Sequence, residues 1–139
     1  MVDRAVITAK LANVKKSLDR LKEKHGVELK DFLVNRDIQD IVILNLQTAI
    51  QGCIDIASHI ISDNDWGVPG SLAGLFEILR EKKVITEDTE KIMRQMVGFR
   101  NLIVHEYAKL DMARAYSVFN GRLSDFTSFL KEVSLYARL

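Results

Sequence analysis

Proline occurs once in this sequence, at position 69, and the 139 residues hold only seven glycines. Turns draw on both types, glycine for a positive φ and proline for a preset one. A chain this poor in them cannot build the many tight turns of an all-β or α/β domain. Pro69 stands between Gly67 and Gly70 in one short stretch from Trp66 to Ser71. The rest has little punctuation, so long helices joined by a few loops are the expected architecture.

The apolar spacing agrees. From Asp3 to Lys24, Ile7, Leu11, Val14, Leu18 and Leu21 recur at intervals of 4, 3, 4 and 3, with Lys10, Lys15, Lys16, Arg20, Lys22 and Glu23 around them. That is one face of an amphipathic helix, and Gly26 takes the stop position after it. A second segment runs from Asn35 or Asp37 to Ser62. Ile38, Ile41, Val42, Asn45, Ala49, Cys53, Ile56 and Ile60 form one face. Ile43, Leu44, Leu46, Ile50, Ile54, Ala57 and Ile61 widen it almost all the way round. A helix apolar on most sides is either central in its bundle or covered by a partner subunit.

After the loop opened by Asp63-Asn64-Asp65, Ser71 is placed to cap a short helix carrying Leu72, Leu75, Phe76 and Leu79. Thr86 is placed to cap the next, with Glu87 and Asp88 in its positive first turn and Ile92, Met96, Phe99 and Ile103 as its stripe. Glu87–Lys91 and Glu90–Arg94 are well-oriented pairs four residues apart. Asp111 is placed to cap a last helix with Met112, Tyr116, Phe119, Leu123, Phe126, Leu130 and Val133 in register. The expectation is all-α: a mainly antiparallel bundle of four longer helices and a short one, a single domain over 1–139.

Composition bounds the function. Apolar residues are 47% of the chain, enough for a proper core, and 20 basic against 19 acidic residues leave a formal charge of +1. That balance disfavours a polyanion-coating protein or a disordered acidic tail. With Cys53 the one cysteine, there is no intrachain disulfide and no cysteine-based zinc site. A reducing, cytoplasmic setting is expected. No apolar run approaches the roughly 20 residues of a membrane span. Met1-Val-Asp-Arg-Ala-Val also lacks the pattern of a signal peptide. No membrane partner is expected.

One stretch carries chemistry, Gly98-Phe-Arg-Asn-Leu-Ile-Val-His-Glu-Tyr107, at the end of the fourth helix. An arginine fork matches phosphate oxygens, and a histidine near neutrality moves protons. At about 100° per residue, Arg100 and Tyr107 share a face, Asn101 and His105 share another, and Arg100 and His105 diverge by about 140°. Convergence of those two needs a long arginine arm, a distorted helix end, or a second copy of the site across an interface. Gly98 suits a place where another backbone comes close. No carboxylate cluster has metal-ligand spacing, so metal-free phosphodiester chemistry with no cofactor is expected. Taken alone, the same residues also fit an ordinary solvated helix end.

Arg100-Asn-Leu-Ile-Val-His105-Glu-Tyr107 resembles the Arg-x4-His-x-Tyr motif of the HepT-like branch of the HEPN superfamily, the ribonuclease toxins of HepT–MntA (type VII) toxin–antitoxin pairs. Pro69, Phe76, Leu79, Val84-Ile85, Met96 and Asp111 follow the same pattern over nearly the whole chain. Lys83 departs from it, standing where many relatives have a glycine. The resemblance implies a HEPN-like helical bundle that forms a homodimer with the motif helices near the two-fold axis. It also implies metal-independent endoribonuclease activity on RNA. The implied catalytic residues are Arg100 and His105, with Asn101 supporting them. A MntA-like nucleotidyltransferase antitoxin is implied as partner, and by position Tyr107 as the residue it modifies with AMP. The alternative is a catalytically silent HEPN dimer acting as an interaction or nucleotide-binding module. The second and fourth helices are the expected dimer interface. Lys109, Arg114 and Arg122 are candidates for a phosphate funnel or an ordinary solvated face. His25 is expected to be solvated, His59 a satisfied polar neighbour, Cys53 a buried small hydrophobe, and Trp66 a cover for the bundle end.

Overall fold

The computed structural model describes residues 2–139. They form α1 (Arg4–Lys22), α2 (Leu29–Phe32), α3 (Arg36–Asp63), α4 (Leu72–Glu81), α5 (Glu87–His105), a 3-10 turn (Tyr107–Lys109), α6 (Met112–Gly121) and α7 (Leu123–Tyr136). No strand is present among the described residues. The caps expected at Ser71, Thr86 and Asp111 are in place, accepting from the amides of Gly74, Thr89 and Ala113. Two more appear at the segment starts: Asp3 accepts from the amides of Ala5 and Val6, and Asn35 from Ile38. Each side-chain oxygen satisfies an amide that the first helical turn leaves without a partner.

α3 is the central helix. It packs on α1, α2, α4, α5, α6 and α7. Val42, Leu46, Ala49, Ile50, Cys53, Ile56, Ala57 and Ile60 are wholly buried. Burying a large aliphatic side chain is worth about 1.5–3 kcal/mol, so α3 organises the core. Its outward strip is polar apart from Leu44: Asp37, Asp40, Thr48, Asp55, Ser58 and Ser62 are exposed. The breadth of its apolar surface is thus used up within the chain. Gly52 lets α1 come close, since a Cβ there would lie 2.5 Å from Val14 Cγ2. α3 is also, among the described residues, the one helix long and apolar enough to cross a membrane, with a mean hydropathy of 1.4 over its best window. That corrects the expectation that no segment comes near such a length. Half of that window is buried inside the bundle.

Two features escape the apolar pattern. α2 is a single turn whose Phe32 enters the core beside the rings of Tyr116 and Phe119, 5.3 and 6.3 Å away. The expected last helix is two helices. The chain bends at Arg122, with φ −122° and ψ 8°, right after the exposed Gly121. The apolar spacing continues across the bend, so it carries no trace of it. Arg122 Nε donates to Asp125 Oδ2 at 2.6 Å and anchors the start of α7. α7 returns to α5 through Glu132, which accepts from the Thr86 amide at 2.7 Å and from the buried Thr89 hydroxyl. At the bundle end Trp66 lies half-buried, its ring 6.2 Å from that of Tyr136 and 5.6 Å below Lys82 Nζ. It covers the core as expected.

α4 ends in a Schellman motif: the Lys83 amide donates to Arg80 O at 2.9 Å and the Val84 amide to Leu79 O at 2.8 Å. This closure needs a left-handed residue, and Lys83 takes it with φ 62°. The left-handed conformation costs a residue with a Cβ about 1–2 kcal/mol, which glycine avoids. Lys83→Gly should therefore raise the unfolding free energy by about 0.5–1 kcal/mol. A urea titration that finds the variant less stable than the parent would contradict this account.

Candidate functional site

The site is built on the last two turns of α5. Met93, Met96, Val97, Phe99 and Ile103 are its buried side chains there. Arg100 lies four residues after Met96 and three before Ile103, so it takes a core-facing position. The consequence is unusual for an arginine. Its Nε is buried with no hydrogen-bond partner among the described residues, while Nη1 donates to Asn101 Oδ1 at 3.0 Å. The inward register comes from the helix period, and Arg100 as a whole is partly buried.

The opposite face is open. Lys91, Gln95, Gly98, Asn101 and His105 follow one another at three- and four-residue spacing, and all are exposed. A Cβ added at Gly98 would meet nothing within 4 Å, so no backbone among the described residues approaches it. Arg100 and His105 therefore look in different directions within one chain, as the helical period requires. Asn101 links to Arg100 and shares the exposed stripe with His105.

Tyr107 lies off the helix. α5 stops at His105, and Glu106 caps it with φ −139° and ψ 42° while its amide donates to Leu102 O at 3.0 Å. Tyr107 opens the 3-10 turn, and Leu110 brings the chain back to the core. The shared face expected for Arg100 and Tyr107 assumes a helix running through both, and the break at Glu106 removes that assumption. Tyr107 is 48% exposed, and its hydroxyl has no hydrogen-bond partner among the described residues. The break is invisible to a pattern reading because the turn contains neither glycine nor proline.

The neighbouring cations divide. Arg122 is tied to Asp125 and reaches Gln95 Oε1 at 3.4 Å. Lys109 leans on Glu106 at 3.5 Å. Arg94 is held by Glu90 at 3.3 Å and Glu77 at 3.6 Å, whereas the expected Glu87–Lys91 pair does not form. Arg114 lies with its guanidinium carbon 5.6 Å from the Phe99 ring and has no carboxylate partner among the described residues. Elsewhere, His59 Nε2 meets Asp63 Oδ2 at 3.0 Å, His25 is exposed, and burial pushes the Cys53 thiol well above its ordinary range. Cys53 is thus an inert core residue.

An all-helical bundle carrying Arg-x4-His-x-Tyr at the end of α5 defines the HEPN class. The sequence pattern described as Ribonuclease HepT-like matches residues 14–133, which include the whole motif. The chain is 34% identical over 125 residues to the mRNA nuclease HepT of Shewanella oneidensis, covering 90% of this chain and 93% of that one. It is 26% identical over 135 residues to the tRNA nuclease HepT of Aphanizomenon flos-aquae, covering 97% and 92%. Its fold superposes on the tri-AMPylated HEPN toxin of Shewanella oneidensis, solved in complex with an MNT antitoxin. The TM-score is 0.86, with 33% identity over 97% of this chain and 99% of that one. The chain belongs to the HepT-like ribonuclease family.

The placement of Arg100 has a cost that can be measured. A buried donor without a partner costs about 1–3 kcal/mol. Arg100→Met keeps an unbranched stem and removes that donor. The variant should unfold at equal or higher urea than the parent, with a gain of about 1 kcal/mol. A clear loss of stability would mean that Arg100 holds the bundle together.

Proposed function

We propose that this chain is the toxin of a HepT–MntA toxin–antitoxin pair and cuts RNA without a metal, in a cleft that two copies form together. The observation that carries this reading is the pairing of an inward, incompletely partnered Arg100 with an outward His105 on one helix of a HepT-like ribonuclease. No fold needs that arrangement for its own stability. Two copies whose α5 ends meet near a two-fold axis would gather the Arg100 and His105 of both into one cleft. The expected interface through the second helix is not part of this reading, because the outward strip of α3 is polar. No three His, Cys, Asp or Glu side chains among the described residues are grouped to hold an ion. The positive charge for the reaction then falls to Arg100. A cytoplasmic location is part of the reading.

The chemistry balances with the chain's own groups. One His105 takes the proton of an RNA 2′-hydroxyl as that oxygen attacks the adjacent phosphorus. The bond from phosphorus to the 5′-oxygen breaks, and the second His105, protonated, gives that oxygen a proton. The products are a 2′,3′-cyclic phosphate and a 5′-hydroxyl end. Arg100 carries hydrogen bonds to the extra negative charge of the pentavalent state, and Asn101 holds the guanidinium.

Cleavage of RNA should persist in excess EDTA. His105→Ala should lower its rate by about 10²–10⁴ with the helical spectrum unchanged. Loss of activity in EDTA that returns with a divalent ion would remove the metal-free mechanism. An inert parent that still dimerises would instead fit the silent HEPN module.

Tyr107 is the proposed acceptor of AMP. Its hydroxyl is exposed on a turn outside the helix, where a second enzyme has access. The phosphodiester of AMP adds about one negative charge beside a site built for phosphate, so modification opposes RNA binding by repulsion and bulk. Co-expression with the partner nucleotidyltransferase should add AMP-sized mass to the parent and none to Tyr107→Phe. AMP found on another residue of the parent would displace Tyr107 from this role.

A further inference from the structure

We propose that Arg114 is a second phosphodiester-binding residue of the cleavage site, holding an RNA phosphate beside the one that Arg100 receives. The proposal rests on the ribonuclease reading and extends its substrate contacts to α6.

Three observations converge on this residue. Its position is the first. Exposed Gln95 and buried Phe99, four residues apart, lie on one side of α5, and arginines from the α6–α7 segment reach that side at both levels. Arg122 touches Gln95, and Arg114 lies over Phe99, the residue between Gly98 and Arg100. The second is its free charge. Arg122 is neutralised by Asp125, Arg94 by Glu90 and Glu77, and Lys109 by Glu106. Arg114 is exposed and has no acidic partner among the described residues, so its donors are open to a ligand. The Phe99 ring fixes the guanidinium without occupying those donors.

The third is electrostatic placement. Arg114 is the third residue of α6, and no acid occupies that first turn. The N-terminal end of a helix carries positive partial charge, so a cation there is unfavourable for the fold. The Asp111 cap carboxylate accepts from the Ala113 amide at 2.9 Å and makes no ion pair with Arg114. A residue that gains no ion pair and meets the wrong helix pole suits an anion from outside the protein. The RNA backbone is such an anion, and its phosphates repeat along the strand on both sides of the scissile one.

The test uses full-length protein and a labelled single-stranded RNA that the parent cuts. In a His105→Ala background, binding is measured by anisotropy over a series of KCl concentrations. Adding Arg114→Ala should weaken binding about ten-fold at low salt and lower the slope of log Kd against log salt by about 0.7, the value for one lost phosphate contact on a single strand. Arg114→Met, which keeps the stem over Phe99, should show the same losses, and Arg114→Lys should restore the slope. With His105 intact, Arg114→Ala should raise KM more than it lowers kcat. A parent that cuts RNA while both neutral variants bind with unchanged affinity and slope would overturn the role of Arg114 and leave the ribonuclease reading standing. A parent that neither binds nor cuts RNA would overturn both.

Discussion

The burial of α3 on nearly all sides is the constraint on which the rest of the structure depends. A helix carrying more apolar surface than one face must be wrapped, and six other helices do so. α1 closes one side, where Gly52 lets Val14 come near. α4 and α5 close another, and the bent α6–α7 pair completes the shell. The path of α5 follows from this. Met93, Met96, Val97 and Phe99 must face inward, and Arg100, next along the same arc, is carried toward the core's edge. The arginine is therefore held by the same register that holds the hydrophobic residues before it.

The proposed function rests on the contrast between the two faces of α5. The inward face offers a guanidinium anchored by Asn101, with its buried Nε unused. The outward face offers His105 and the open surface at Gly98. A single chain separates these groups, and the proposed two-copy cleft is what would bring them together. The helix then ends at Glu106, and Tyr107 is released onto a short turn accessible to a modifying enzyme. Charge pairing refines the surface. Most arginines around α5 are occupied by carboxylates; among the described residues Arg100 of the motif and Arg114 over Phe99 have no carboxylate partner.

The chain end of α4 illustrates how local and global demands trade. The Schellman closure at Lys83 is required for Val84 and Ile85 to drop into the core, where they are almost wholly buried. The non-glycine residue there carries a local strain that the burial of that pair outweighs. Asp65 and Arg138 close α3 and α7 with the same left-handed geometry. None of the three positions holds a glycine, so helix stops at these points leave no mark of the usual kind.

The sequence by itself determined what depends on near neighbours. The caps at Ser71, Thr86 and Asp111 are legible because a side-chain oxygen reaches amides two or three residues on, whatever the rest of the chain does. The apolar stripes are legible because burial follows the helical period. So is the grouping of Arg100, Asn101, His105 and Tyr107, and with it the family. Only the tertiary structure decided the bend at Arg122, the single turn holding Phe32, and the break at Glu106 that takes Tyr107 off the helix. It also decided which arginines are paired, and that one Nε of Arg100 is buried without a partner. Those outcomes depend on residues far apart in the chain competing for the same core space and the same carboxylates, and no local pattern records that competition.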